Sequence, residues 1–259
     1  MTDSIMKNNC ILLRNKLIKS IFSLVSILLL WELIAWIIGD EYFMPRVEST
    51  FSAMTEIIFS KSFFKVVFKA IYRVLSGLFW GIIIGVALAS ICHKSEIVNA
   101  IISPIISIMK ATPVASIIVL LWIHLTYAQF AVFVVMLMVI PIIWQNVYDG
   151  YKEIDKSLVE VADIFELSLI TRIKVLIIPT VLTYLLPAII TSVGMAWKAE
   201  IAAEIMTGKN IGQLIYDFKN VSLDTTSIFA WTAIIVILSV IFEKSAKYLL
   251  GRLMNELKN

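Results

Sequence analysis

Apolar runs long enough to cross a bilayer recur along this chain, at residues 21–38, 70–92, 127–147, 175–197 and 228–242 with its flanks. A helix needs about 20 such residues to traverse the hydrocarbon core. Inside that core each backbone N–H and C=O has to be bonded within its own segment, which leaves helices or a closed barrel. Runs of this length call for helices, so the expected fold is all-α and polytopic. A sixth run, 97–124, is apolar but interrupted by Pro104, Lys110 and Pro113, and it reads as one broken span instead of two re-entrant pieces. Composition points the same way. The chain is 60% hydrophobic and 16% charged, with a mean hydropathy of +0.92, well outside soluble usage. About six helices fit one compact bundle, a single domain over 1–259 with no linker or repeat dividing it.

Lysine and arginine placement sets the orientation. One side carries Lys7, Arg14, Lys16 and Lys19, then Lys94, then Lys152, Lys156, Arg172 and Lys174, and finally Lys244, Lys247, Arg252 and Lys258. The other carries Arg46, Lys61, Lys65, Lys69, Lys209 and Lys219. The first set marks the cytoplasmic side, so both termini are expected inside, with 1–20 a cytoplasmic segment leading into a retained signal anchor. Residues 198–226 are expected as an outer loop. Cys10 and Cys92 have no disulfide or metal spacing and are expected to be inert.

Between the apolar runs lies a polar insert, 150–174. Within it Leu158, Val161, Ala162 and Phe165 recur at i, i+3, i+4 and i+7, which places them on one helical face, while Glu160, Asp163 and Glu166 point elsewhere. A short helix with an apolar ridge and acidic flanks suits a groove on another protein; the other reading is a helix lying on the membrane surface. The stretch EVADIFELSLITRIKVLIIP, Glu160 to Pro179, resembles the EAA loop of ABC importer membrane subunits: Glu-Ala-Ala, three residues, Gly, nine residues, Ile-x-Leu-Pro. Here Val161 replaces the second motif residue, Leu176 and Ile178 are apolar exchanges, and Glu166 stands at the glycine. The resemblance implies that the helix carrying Leu158, Glu160, Val161, Ala162, Phe165 and Glu166 docks on an ATPase subunit. A glycine there ends the helix with positive φ, so Glu166 is expected either to adopt that conformation, at about 1 kcal/mol relative to glycine, or to reshape the turn.

In the second span Gly77, Gly81, Gly85 and Ala89 recur every four residues. Such a stripe allows close helix approach within lipid, and an internal seam is the preferred reading over a dimer interface. The surrounding segment AIYRVLSGLFWGIIIGVALA, together with Gly194, Trp197 and AWKAEIAAEIMTGKNIGQLI, is similar to the nitrate/sulfonate/taurine branch of ABC importer permeases, Arg73 included. That resemblance implies a type I importer transmembrane fold in the bacterial cytoplasmic membrane. It also implies a second copy of the permease, two ATPase subunits holding ATP and magnesium, and an extracytoplasmic substrate-binding protein. Arg73 either lines an anion path or snorkels to the outer interface, the preferred reading.

Charged residues inside spans are costly and mark candidate sites. Trp197, Lys198, Glu200 and Glu204 form one group, Lys110 and Thr112 another. Either group lines a translocation pathway or serves structure: salt bridges and interfacial anchoring for the first, a kink with Lys110 snorkelling for the second. Glu200 and Glu204 share a face that Lys198 does not. Glu32 is expected in a helix contact. His93 and His124 stand without ligand partners. No G-x-x-x-x-G-K-[ST] loop is present to cradle phosphates, so this chain is expected to bind no cofactor, catalyse nothing and contact no nucleic acid. The alternative to an importer permease for a small anionic or zwitterionic solute is a standalone ion-coupled transporter or channel.

Overall fold

The computed structural model describes residues 2–256; the side chains of residues 2–17, 20, 127–128 and 253–256, among them Lys7, Cys10, Arg14 and Lys16, and all of Lys258 lie outside that description. Among the described residues all regular structure is helical. The chain gathers into two compact units where the sequence led us to expect one bundle.

The first unit holds the residues up to Ser60 together with Asp217–Ile234. Helix α1 (Thr2–Ile38) is continuous, so the segment 1–20 is helical from Thr2. Its apolar run exposes nearly all its large side chains, including Leu24, Leu29, Leu33 and Ile37, as a lipid-facing helix would. The N-cap residue of helix α2 (Val47–Phe59), Arg46, makes no side-chain cap bond. Glu32 supplies one across the turn, accepting a hydrogen bond from the Val47 N–H at 3.0 Å. A carboxylate at a helix N-terminus also meets the positive end of the helix dipole. Trp31 donates from its indole to the Pro45 carbonyl at 3.0 Å, closing the same turn.

The second unit, Lys61–Tyr216 with the residues from Ile235 onward, is built on α3 (Phe63–Lys94), α6 (Tyr127–Lys152) and α9 (Ile178–Thr207). The glycine stripe is the internal seam. A Cβ at Gly77 would lie 2.5 Å from the Val135 Cβ, one at Gly81 2.8 Å from that of Val139, and one at Gly85 2.8 Å from that of Ile143. The glycines and the branched residues both repeat every four positions, so ridge and groove match along one line. Ala89 continues the stripe and is fully buried.

Helices α4 (Glu96–Ala111) and α5 (Val114–Trp122) replace the interrupted sixth run, their axes differing by 100°. Pro104 is accommodated inside α4, whereas Thr112, preceding Pro113, is extended (φ −76°, ψ 127°) as proline requires of its neighbour. The interruption is thus a break, not the kink considered above. Among the described residues five helices are long and apolar enough to span, or six if the bent pair counts as one.

After α6 come α7 (Lys156–Ile164), α8 (Leu169–Arg172) and a π-helical turn, Ile173–Ile177, that runs into α9. Pro179 lacks an N–H and crowds the carbonyl four residues back, and a widened π turn relieves that crowding. Helix α9 continues to Thr207 and stops at Gly208, which is left-handed (φ 58°). Residues 198–207, expected in a loop, are therefore helical. Two of their charged side chains, Glu200 and Glu204, are paired with Arg73 within the fold. Helices α10 (Ile211–Asn220) and α11 (Thr225–Glu256) follow.

Candidate functional site

Two sites emerge, one on the insert and one inside the bundle. On the insert, Asp155 caps α7, its Oδ1 accepting from the Ser157 N–H at 2.8 Å and from the Ser157 hydroxyl at 2.7 Å. Those bonds hold its carboxyl below the ordinary carboxylate range. The helix presents Leu158, Val161, Ile164 and Phe165 to the outside, Phe165 at 72% exposure. Ala162, expected on the same docking ridge, is instead buried at 1%: it turns inward and is unavailable to a partner. Glu160 is exposed and forms no hydrogen bond or ion pair among the described residues.

At the C-terminus of α7, Glu166 adopts φ 48°. The Leu167 N–H reaches the Ala162 carbonyl and the Glu166 N–H the Asp163 carbonyl, both at 3.0 Å, which is a Schellman ending. Glutamate has taken the glycine's place without reshaping the turn. Arg172, not among the residues singled out from the sequence, closes the structure. It pairs with Asp163 and donates to the Leu167 carbonyl at 2.9 Å and the Ala162 carbonyl at 3.2 Å. One guanidinium therefore satisfies two helix-end carbonyls and a carboxylate, fixing α7 to the base of α9.

Inside the bundle Arg73 does not snorkel. It is 7% exposed, its Nε 2.5 Å from Glu200 Oε1 and its terminal nitrogen paired with Glu204. Both carboxylates are fully buried. Glu204 also accepts from the Asn210 amide at 2.8 Å and the Ile211 N–H at 3.0 Å, while Asn210 donates to the Val66 carbonyl at 3.0 Å. Glu200 Oε2 has no hydrogen-bond partner among the described residues. Gly212 lies against α9 so tightly that a Cβ would fall 1.8 Å from the Glu204 carbonyl oxygen. Both glutamates thus form salt bridges to a neighbouring helix.

Trp197, Glu200 and Glu204, expected along a pathway, are thus covered within this chain. Lys198 is exposed and lines a groove of about 490 Å³ that also holds Glu243 and Ser239 on α11. Lys110 donates to Gln145 on α6 at 3.2 Å, so it is tethered to that helix. Thr112 bonds back to the Ile108 carbonyl at 2.7 Å. Glu243 was missed for want of a sequence neighbour. Arg73 could have been matched to the glutamates by asking which cation neutralises two carboxylates one helical turn apart in an apolar run.

Comparison with known proteins agrees with this architecture. A solved structure of the MetNI methionine ABC transporter in inward-facing conformations superposes with a TM-score of 0.60 at 15% identity, over 74% of this chain and 98% of that one. The likeness shows the fold, the ABC-importer transmembrane fold expected above. The nitrate import permease protein NrtB of Leptolyngbya laminosa is 26% identical over 155 residues, 57% of this chain and 54% of NrtB. SsuC of Bacillus subtilis strain 168, named for aliphatic sulfonate transport, is 27% identical over 113 residues, 43% of this chain and 41% of SsuC. The match therefore spans about half or less of each relative. Residues 77–254, most of the chain and all of α7 to α10, match a single family model, and the chain accordingly belongs to the family of inner membrane components of binding-protein-dependent transport systems.

Proposed function

We propose that this chain is the permease subunit of an ATP-driven importer, two copies of which enclose a pathway for a small anionic or zwitterionic organic solute. A pair of ABC ATPase subunits, holding ATP and magnesium, engages α7 from the cytoplasm, where both termini lie, and a binding protein delivers the solute from the other side. The observation that carries this reading is α7 itself. It exposes Leu158, Val161, Ile164 and Phe165 beyond the end of a spanning helix, yet it is capped at both ends and anchored by Arg172. A rigid amphipathic helix with an uncovered apolar face fits a groove on another protein and can pass that protein's movement to α9. Lys198 and Glu243 are the residues of this chain best placed along the pathway, since exposed charges on spanning helices need water or a partner charge.

The standalone ion-coupled reading needs carboxylates held at depth to bind the ion. Glu200 and Glu204 are engaged by Arg73, and Glu204 also by the start of α10, which favours a structural role for these two. The test is purification of a tagged copy from its native operon, with identification of co-purifying subunits and assays of ATP hydrolysis and uptake. Recovery of an ATPase in equal amounts, lost with Glu160→Lys plus Phe165→Ser, is the expected result. Uptake undiminished in Glu160→Lys, or recovery of this chain alone, would overturn the coupling role.

A further inference from the structure

A second cavity lies where α7 meets the bundle, about 360 Å³ in volume. Its charged lining is basic throughout, Lys152 at the end of α6, Lys156 at the start of α7 and Arg172 in α8, with the His93 imidazole at the end of α3 as a further polar group. No aspartate or glutamate lines it. The remaining wall is chiefly apolar, from Ile154, Val159, Leu176 and Ile177.

The walls are held in place. Tyr151 shares a hydrogen bond with Ser90 at 2.9 Å, and the His93 ring stacks on Tyr151 at 4.6 Å. Lys152 sits 4.3 Å over the Tyr148 ring. Arg172 is committed to Asp163 and two carbonyls, so it closes the wall. That leaves His93, Lys152 and Lys156, all exposed and none ion-paired among the described residues, to meet a ligand.

The position in the membrane follows from the helices. Three spans begin or end here, at Lys94, Lys152 and Leu169, which places the cavity at headgroup level. A pocket with a basic rim and an apolar wall at that level matches a molecule with a phosphate head and a hydrocarbon tail. A free inorganic anion would leave the apolar wall unmatched.

We propose that this cavity binds the headgroup of an anionic phospholipid, its phosphate against Lys152, Lys156 and His93 and the start of its acyl chains along Leu176 and Ile177. The lipid then bridges α7 to the bundle beside Arg172, so the stiffness of the coupling helix depends on the charge of the surrounding leaflet.

The test measures lipid binding to the purified full-length chain in mild detergent, by native mass spectrometry, with phosphatidylglycerol, phosphatidylcholine and inorganic phosphate as separate probes. Phosphatidylglycerol is expected to bind in preference to phosphatidylcholine, and phosphate at equal concentration is expected not to displace it. Lys152→Gln/Lys156→Gln is expected to weaken phosphatidylglycerol about thirtyfold, from about 1 kcal/mol per lysine near the surface. Lys244→Gln/Lys247→Gln, which removes the same charge from exposed positions on α11, should leave binding unchanged. Equal binding of both lipids, displacement by phosphate, full affinity in the first double variant or equal loss in the second would each overturn the assignment. The lysines are exposed, so their replacement is not expected to unfold the chain; His93→Gln, expected to weaken binding alone, provides a second reading.

Discussion

The carboxylate of Glu204 accepts a hydrogen bond from the backbone N–H of Ile211 at 3.0 Å, so the end of α9 caps the helix that follows it. The intervening residues turn on two left-handed positions, Gly208 at φ 58° and Asn210 at φ 52°, and Arg73 neutralises the same carboxylate from α3. A single buried side chain thereby ties three helices together.

That cluster holds two carboxylates and one guanidinium, which makes its members unequal. Arg73→Gln strands both glutamates and is expected to lower stability by about 3–5 kcal/mol. Glu200→Gln removes the surplus negative charge at a carboxylate whose Oε2 has no partner among the described residues, and it is expected to be close to neutral. Thermal unfolding of the two variants in one detergent checks the contrast; equal losses would contradict it.

Along the seam between α3 and α6, Gly77→Ala places a Cβ 2.5 Å from that of Val135. Overpacking of this kind is expected to lower stability by about 1–3 kcal/mol. Gly251→Ala has nothing within 4 Å of the new methyl and should be neutral or stabilising, since alanine is the better helix former. Melting temperatures of the pair decide the point.

Glu166 holds the left-handed position that ends α7. Glu166→Gly is expected to stabilise that turn by about 1 kcal/mol, and Glu166→Val to destabilise it. Hydrogen exchange at the α7 amides should slow in the first and quicken in the second.

Asp155 gives α7 a pH dependence. Bonding to Ser157 depresses its folded-state pKa, so the cap's contribution is complete above the unfolded value, near 4, and is lost as pH falls through the lower folded value. Exchange protection at the first turn of α7 should therefore decline on acidification below about pH 4, and Asp155→Ala should abolish that decline by removing the cap at every pH.

The sequence by itself determined what depends on local geometry and on the solvent. Twenty-residue apolar runs dictate helices in a bilayer whatever they pack against, and a four-residue glycine period marks a seam before its partner is known. The periodicity of residues 158–165 placed an amphipathic helix on the insert, and the chemistry of position 166 marked a left-handed turn at its end. Only the tertiary structure decided which charges meet. Arg73 and Glu200 lie 127 residues apart in the chain, and no period relates them; their pairing follows from the α3 and α9 faces that packing turns towards each other. The same holds for Ala162, which is buried although its spacing sets it on one ridge with Leu158, Val161 and Phe165, and for Lys198 and Glu243, which share a groove only because α9 and α11 are neighbours there. Sequence periodicity fixes a residue's direction about its own helix, while burial and charge pairing depend on what stands opposite.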